Sequence, residues 1–506
     1  MNRKKGVVLS YALMIFEVFN TLLLTPIIIK TLGQAEYGVY KLTLAINGYL
    51  LLLDLGIGNA TIKFISKYRV NNDSENERKF LGIITVYYII IGIITFLIGL
   101  IITFSFPYVF SKGLSSEEIR LGQTLIFITM ITSTISLGTS QYGNIILAYE
   151  KFTVSKLSQI IMIIIRIIVS YISLKLNFGS IGLVLINLVM TLIIRIYFIF
   201  YVLLKIKLKP LFKHINKSQI KEIVFYSSWI LLQMVATQLN ASVDQILIGA
   251  LVSSSAVILA IYGVGSQVNQ YFKSIGSAFT GVLMPGVVKL VEKKSNNIAI
   301  CNEMTRIGRY ILMVLILIWG VFLVEGNEFI VLWAGKANSD AYIVSVILMS
   351  AEMIVLTKSI GTQILWAMNE HKEQAILKFV IVLLNIILTI YLIKWNPLLG
   401  ATIGTFISIL LGDIIVMDIL FHKKIGLKIK KYYQNLFKGI LPAIIISIII
   451  GIVINIYIIN YSLIGFAIKS SLMIMVYFIG MVTFGFNDDE KKLIYSMLHI
   501  KGGKNK

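Results

Sequence analysis

The chain has almost none of the residues from which catalytic and metal centres are usually built. One cysteine, Cys301, serves all 506 residues, which excludes an internal disulfide and a cysteine-based metal site. The 4 histidines, His214, His371, His422 and His499, are scattered through basic stretches at no ligand spacing. No Gly-x-x-x-x-Gly-Lys-Ser/Thr phosphate loop occurs, so the chain is not expected to hydrolyse nucleotides. Charge is also scarce, at 14% of residues. Neither an enzyme nor a cofactor is expected from this inventory.

What fills the chain instead is apolar. Hydrophobic residues make up 57% of it, and the mean hydropathy of +0.87 lies far above that of ordinary globular proteins. A spanning helix needs about 20 mainly apolar residues, and cutting the chain at charges and turn residues yields about fourteen such runs. They lie near 8–29, 39–62, 80–104, 121–149, 152–174, 181–204, 223–251, 256–284, 307–324, 342–368, 375–393, 398–420, 436–459 and 463–486. The expected fold is all-α, a polytopic membrane protein. The first run follows Asn2-Arg3-Lys4-Lys5 and reaches Thr25-Pro26 without a small-residue cleavage site, so it reads as a retained helix.

Lys and Arg crowd into alternate gaps, such as 63–79, 205–221 and 423–438, whereas the other side carries little beyond Lys30, Lys112, Arg120, Lys175, Lys336 and Lys394. That asymmetry places both termini in the cytoplasm. The net charge of +22 then follows from topology and anionic headgroups, and no nucleic-acid partner is expected. The outer gaps, among them 30–38, 105–120 and 325–340, are too short to fold into a domain. No Ser/His/Asp constellation can form from cytoplasmic histidines and an outward nucleophile. The work is expected inside the membrane.

A weak internal echo runs through the chain. Ala148-Tyr149-Glu150-Lys151 and Ala367-Met368-Asn369-Glu370 each open a helix pair that turns at a small-residue loop and returns to a Lys-rich gap. The echo predicts two six-helix lobes around a central cavity, 1–210 and 211–430, followed by two additional helices and a basic tail at 431–506.

Polar groups at membrane depth are costly, so their placement is informative. Glu17, Asn20, Thr21 and Thr25 share a face of the first helix, and Thr43, Asn47 and Asp54 lie on the second. Gln233, Thr237, Asn240 and Asp244 form a stripe on the seventh, and Ser266, Asn269, Gln270, Lys273 and Ser277 lie on one side of the eighth. Taken singly, such uncharged groups serve more often as helix-to-helix glue than as ligands. Glu17 and Lys273 near mid-membrane must pair with each other or face water. Arg166, Arg195 and Lys358 are further intramembrane cations, with Asp418 and Arg195 close enough to the interface to snorkel. The third and thirteenth runs are nearly pure hydrocarbon and belong against lipid.

Thr25-Pro26, Leu32-Gly33, Glu36-Tyr37-Gly38-Val39-Tyr40, the stretch from Leu52 to Ala60 with Asp54-Leu55-Gly56-Ile57-Gly58-Asn59, Val243-Asp244-Gln245-Ile246-Leu247-Ile248-Gly249 and Tyr262-Gly263-Val264-Gly265-Ser266-Gln267 resemble the polysaccharide-exporter family. That family holds the O-antigen and capsular repeat-unit flippases within the superfamily of multidrug, oligosaccharidyl-lipid and polysaccharide exporters. The resemblance implies a bacterial inner-membrane flippase that moves undecaprenyl-diphosphate-linked oligosaccharide outward by alternating access, working beside polysaccharide polymerase and chain-length partners.

On that reading Lys273, Arg166, Arg195 and Lys358 would meet the diphosphate. Asn20, Asn47, Gln233, Asn240, Asn269 and Gln270 would meet sugar hydroxyls. Glu17 and Asp244 would bind the coupling H+ or Na+, and Asp54 would gate. The related lipid II flippases usually carry an Arg-rich first helix, which Glu17 and Asn20 do not match. Two other readings compete: a cation-coupled exporter of drugs or other amphiphiles, and a scaffold whose basic gap 205–221 docks polysaccharide-assembly enzymes.

Overall fold

Lipid offers the backbone no hydrogen-bond partners, so a chain of long apolar runs must close its N–H and C=O groups within each segment. The computed structural model describes residues 2–212, 217–292, 297–368, 370–457, 462–488 and 490–492. Among the described residues every regular element is helical. In chain order these are α1 (Asn2–Leu51), α2 (Ile57–Val70), α3 (Ser74–Phe110), α4 (Ser116–Gly138), α5 (Ser140–Ala148), α6 (Phe152–Lys175), α7 (Gly179–Phe200), α8 (Lys217–Leu251) and α9 (Ala256–Glu292). They continue as α10 (Asn297–Ala334), α11 (Ala341–Thr357), α12 (Ser359–Ala367), α13 (His371–Leu392), α14 (Pro397–Ser408), α15 (Met417–Ile425), α16 (Ile429–Phe437), α17 (Ile440–Tyr457) and α18 (Leu463–Gly480). Each apolar run lies on one of these helices or on a consecutive pair. Ten described helices, or eleven if one bent pair counts as a span, are long and apolar enough to cross a membrane, and the protein is a multi-pass membrane protein.

Two expected outer gaps are corrected. The stretch 30–38 is helical except at Gly33, whose φ of 75° and ψ of 175° break α1 between its first and second runs. That backbone conformation suits a residue without a Cβ. Pro26 lies inside the helix and does not end it. The segment 325–340 is helical as far as Ala334, which leaves Glu325 and Glu328 inside α10.

Four of the other interruptions fall at intervals of six runs. The fourth run breaks at Thr139 between α4 and α5, and the tenth at Lys358, where α11 and α12 bend by 45°. The sixth and twelfth carry π-helical stretches, Tyr201–Ile206 and Ile409–Val416. The sequence echo at 148 and 367 falls just after the first pair of breaks.

Packing divides the chain into two compact units, Met1–Gly263 with Ala375–Thr405, and Val264–Gln374 with Phe406–Lys506. The division departs from the sequential boundaries at 210 and 430. Its physical reason is polar: Asn385, Thr389 and Thr405 hydrogen-bond to Asn240 and Asp244 of α8, which ties α13 and most of α14 to the first unit. Within that unit Phe64, Ile65, Phe80, Ile84 and Tyr88 form a core between α2 and α3. The lipid-facing expectation holds in side-chain detail: Ile89, Ile93, Leu97 and Ile101 stand exposed on α3, and Ile445, Ile449, Ile452 and Ile456 on α17.

Candidate functional site

Two polar assemblies interrupt the hydrocarbon of the first unit. In the first, Glu17 of α1, Gln159 and Arg166 of α6, and Asn187 and Thr191 of α7 line a cavity of about 180 Å³. Gln159, Met162 and Arg166 recur at i, i+3 and i+7, and Asn187, Met190 and Ile194 repeat that spacing, so each helix turns one face inward. The cavity therefore presents one anion, one cation and neutral donors and acceptors together. One turn beyond Glu17, Asn20 is buried and its Oδ1 has no hydrogen-bond donor. An unsatisfied buried carbonyl of this kind costs about 1–3 kcal/mol.

The second assembly surrounds Asp244, which is buried on α8. Tyr262 OH and Thr405 Oγ1 each donate to its Oδ2 at 2.5 Å, and Thr389 Oγ1 donates to Oδ1 at 3.1 Å. Asn385 Oδ1 stands within 3.0 Å of Thr389 Oγ1 and 3.3 Å of Thr405 Oγ1, and its Nδ2 donates to Asn240 Oδ1 at 3.3 Å. Each threonine has one proton and faces two acceptors, so oxygens outnumber the hydrogens available to them. No cation pairs with Asp244 among the described residues. A single carboxylate among neutral oxygens suits a proton or a monovalent cation, and no cluster of three His, Cys, Asp or Glu fit for a metal occurs among the described residues.

The remaining predicted residues are placed separately. Lys273 pairs with Glu352 at 3.1 Å inside the second unit, with the lysine side chain 34% exposed and the carboxylate 8%. Lys273 is therefore answered by Glu352, while Glu17 lines the cavity of the first unit. Asn269 is buried with its Oδ1 unpartnered, and Gln270 is exposed on the next position of α9. Asn47 Oδ1 accepts from Ser133 Oγ at 2.7 Å, an interhelical bond of the glue type. The side chain of Gln233 lies outside the described residues.

Lys358, expected as a phosphate ligand, is held by groups of the protein itself. Its side chain is 2% exposed and its Nζ donates to Asp418 Oδ1 at 2.7 Å, Ile414 O at 3.1 Å and Tyr433 OH at 3.2 Å, which uses all three N–H groups. Asp418 accordingly does not snorkel. Arg195 donates from Nη2 to Ser136 Oγ at 2.7 Å while its Nε is buried without an acceptor.

Asp54 closes the 3₁₀ turn Leu52–Asp54, after which Leu55 (φ 55°) and Gly56 (φ 74°) both adopt left-handed backbone. A leucine there costs about 1–2 kcal/mol. Asp54 offsets part of this by accepting from Gly58 N at 3.2 Å and Tyr88 OH at 2.9 Å, so it holds a break in the second span.

Sequence reading missed Gln159, Asn187, Thr191, Tyr262, Asn385, Thr389 and Thr405. A signal existed for two of them, because Asn385 and Thr389 stand at i and i+4 in an otherwise apolar run. Periodicity shows which residues share a face but not which helix that face meets.

No curated protein matches the sequence. Among solved structures the chain is similar to a lipid II flippase MurJ in an inward closed conformation, at 16% identity over 98% of this chain and 99% of that one, with a TM-score of 0.72. It is also similar to an inward-facing multidrug resistance MATE family transporter of the MOP superfamily, at 15% identity, 80% and 94% coverage and a TM-score of 0.66. A MOP superfamily transporter from Pyrococcus furiosus follows at 15% identity, 85% and 96% coverage and a TM-score of 0.56. At these identities the likeness is one of fold. The polysaccharide biosynthesis protein family matches residues 4–291. That span covers more than half of the chain, which therefore belongs to the polysaccharide biosynthesis protein family.

Proposed function

We propose that the protein is a flippase for lipid-linked oligosaccharide, carrying undecaprenyl-diphosphate-linked repeat units across the bacterial inner membrane by alternating access with both termini cytoplasmic. It performs transport and no covalent chemistry. The observation that carries this reading is the polar cavity of Glu17, Gln159, Arg166, Asn187 and Thr191 inside a lipid-facing helical unit of a polysaccharide biosynthesis family member. A diphosphate needs a cation and sugar hydroxyls need amides, and this cavity offers both. Membership of that family favours a glycan over a drug as cargo, and the flippase named among the similar folds moves a lipid-linked substrate of its own. The surface glycan so assembled is an O-antigen or capsule, built with polymerase and chain-length partners.

The Asp244 cluster is the coupling site on this reading, taking H+ or Na+ as the substrate moves. Lys273, with Asn269 and Gln270 beside it, is a second point of contact for the phosphate or sugar. The test is complementation of a deletion strain. Arg166→Ala, with wild-type protein level in the membrane, should lower surface polysaccharide by about ten- to a hundredfold, the equivalent of one charge-assisted hydrogen bond. Normal glycan with newly acquired drug sensitivity in the deletion strain would assign the protein to drug export instead.

A further inference from the structure

The C-terminal helix pair carries a buried ion cluster that neither the polar cavity nor the Asp244 site uses. Lys469 of α18 is 2% exposed, and Glu325 and Glu328 of α10 are 1% and 8% exposed. The Lys469 ammonium bonds Glu328 Oε2, lies 3.0 Å from Glu325 Oε2 and donates to Asn455 Oδ1 of α17 at 2.8 Å. Two of its N–H groups are thereby used in hydrogen bonds, and the Glu325 contact is an ion pair. Asn455 Nδ2 is turned to the carbonyl of Val324 at 3.4 Å. Glu325 Oε1, Glu325 Oε2 and Glu328 Oε1 are buried without a hydrogen bond, and of the three only Glu325 Oε2 faces the ammonium.

The charges do not close. Two ionised carboxylates and one ammonium leave a net charge of minus one in a place sealed from water, at a cost of several kcal/mol. The donors do not close either, since three of the four carboxylate oxygens lack a hydrogen bond, the two Oε1 atoms among them. A single proton repairs both deficits, because it neutralises one carboxylate and turns that group into a donor. We propose that Glu325, Glu328 and Lys469 form a proton-binding site that holds one proton between the two carboxyl groups. One glutamate is then un-ionised while the other pairs with Lys469, and the neutral cluster clamps α17 and α18 to α10. The bound ligand is H+. A monovalent metal ion could balance the charge but would give neither oxygen a hydrogen.

The proposal is independent of the substrate and is read on the full chain in lipid nanodiscs at neutral pH. Infrared difference spectra of wild type minus Glu325→Gln, and of wild type minus Glu328→Gln, should each contain a carboxylic-acid C=O band that shifts in D2O. Either substitution leaves one carboxylate with Lys469, so both variants should unfold within a few degrees of wild type. Glu325→Gln/Glu328→Gln strands the ammonium and should melt well below either single variant. Lys469→Gln should add a second carboxylic-acid band. Absence of the band from both wild-type differences, which reads both glutamates as ionised, would overturn the proposal. A single variant that loses as much stability as the double would overturn it too. The spectra of the single variants decide the matter even if the double variant fails to accumulate.

Discussion

Two buried aspartates of this protein are solved in opposite ways. Asp418 is answered by a full charge, the Lys358 ammonium at 2.7 Å, with the Tyr433 hydroxyl at 2.7 Å on its other oxygen. Asp244 is answered only by neutral hydroxyls from Tyr262, Thr389 and Thr405. A lysine pair is electrically closed and gains nothing from a further ion. A hydroxyl cage stabilises a carboxylate without neutralising it, so the site still attracts a proton or cation. The first arrangement locks a bend, because Lys358 also reaches the Ile414 carbonyl of a π-helical stretch. The second can change its charge without losing its packing.

Breaking the closed pair should have the largest effect. Lys358→Met strands Asp418 and should destabilise the protein by about 3–5 kcal/mol, whereas Lys358→Met/Asp418→Leu should recover most of that loss. Thermal unfolding in detergent reads both, and equal melting of the single and double variants would show that the pair carries no charge-specific stability. Asp244→Asn sharpens the contrast. It keeps the shape of the cage and should cost only about 1 kcal/mol, yet it should remove the dependence of transport on the H+ or Na+ gradient in proteoliposomes. Ion-driven transport surviving in that variant would move the coupling site elsewhere, with Glu17 next to be tested.

The smallest effect is expected at a half-buried carboxylate, Asp73, which caps α3 by accepting from Asn76 N at 3.1 Å and Asn76 Nδ2 at 2.7 Å. The Asn76 side chain, more than its backbone N–H, holds the Asp73 carboxyl below its usual range. A carboxyl lowered on folding adds stability at pH values above the unfolded value of about 3.9, and that stability is lost as pH falls through the lowered folded value. Amide exchange at the start of α3 should accordingly quicken in strong acid and in Asp73→Ala at neutral pH, with the remaining spans unchanged.

The legible part of the molecule was the part governed by solvent. Apolar length marked the spans because hydrocarbon tolerates no unpaired backbone, and the bare faces of α3 and α17 were foreseeable for the same reason. The polar stripes were also visible, and Asp244 and Glu17 were found on them. Their partners were not. Lys358 is paired with Asp418, and Lys469 went unread inside an apolar run although it is held by Glu325, Glu328 and Asn455. A charge in such a run signals that some partner exists, but the chain gives no distance to it.

Local chemistry, then, set the helical class and the apolar runs from which the spans are built, since each of these is a transaction between a residue and its immediate surroundings. The rotation of each helix about its axis was settled only when the helices packed. That rotation decides whether a buried charge meets a countercharge, a hydroxyl or an open cavity. A turn of one residue carries a side chain about 100° round the helix, enough to exchange a lipid-facing position for an inward one, and only contacts between segments distant in the chain select among those angles.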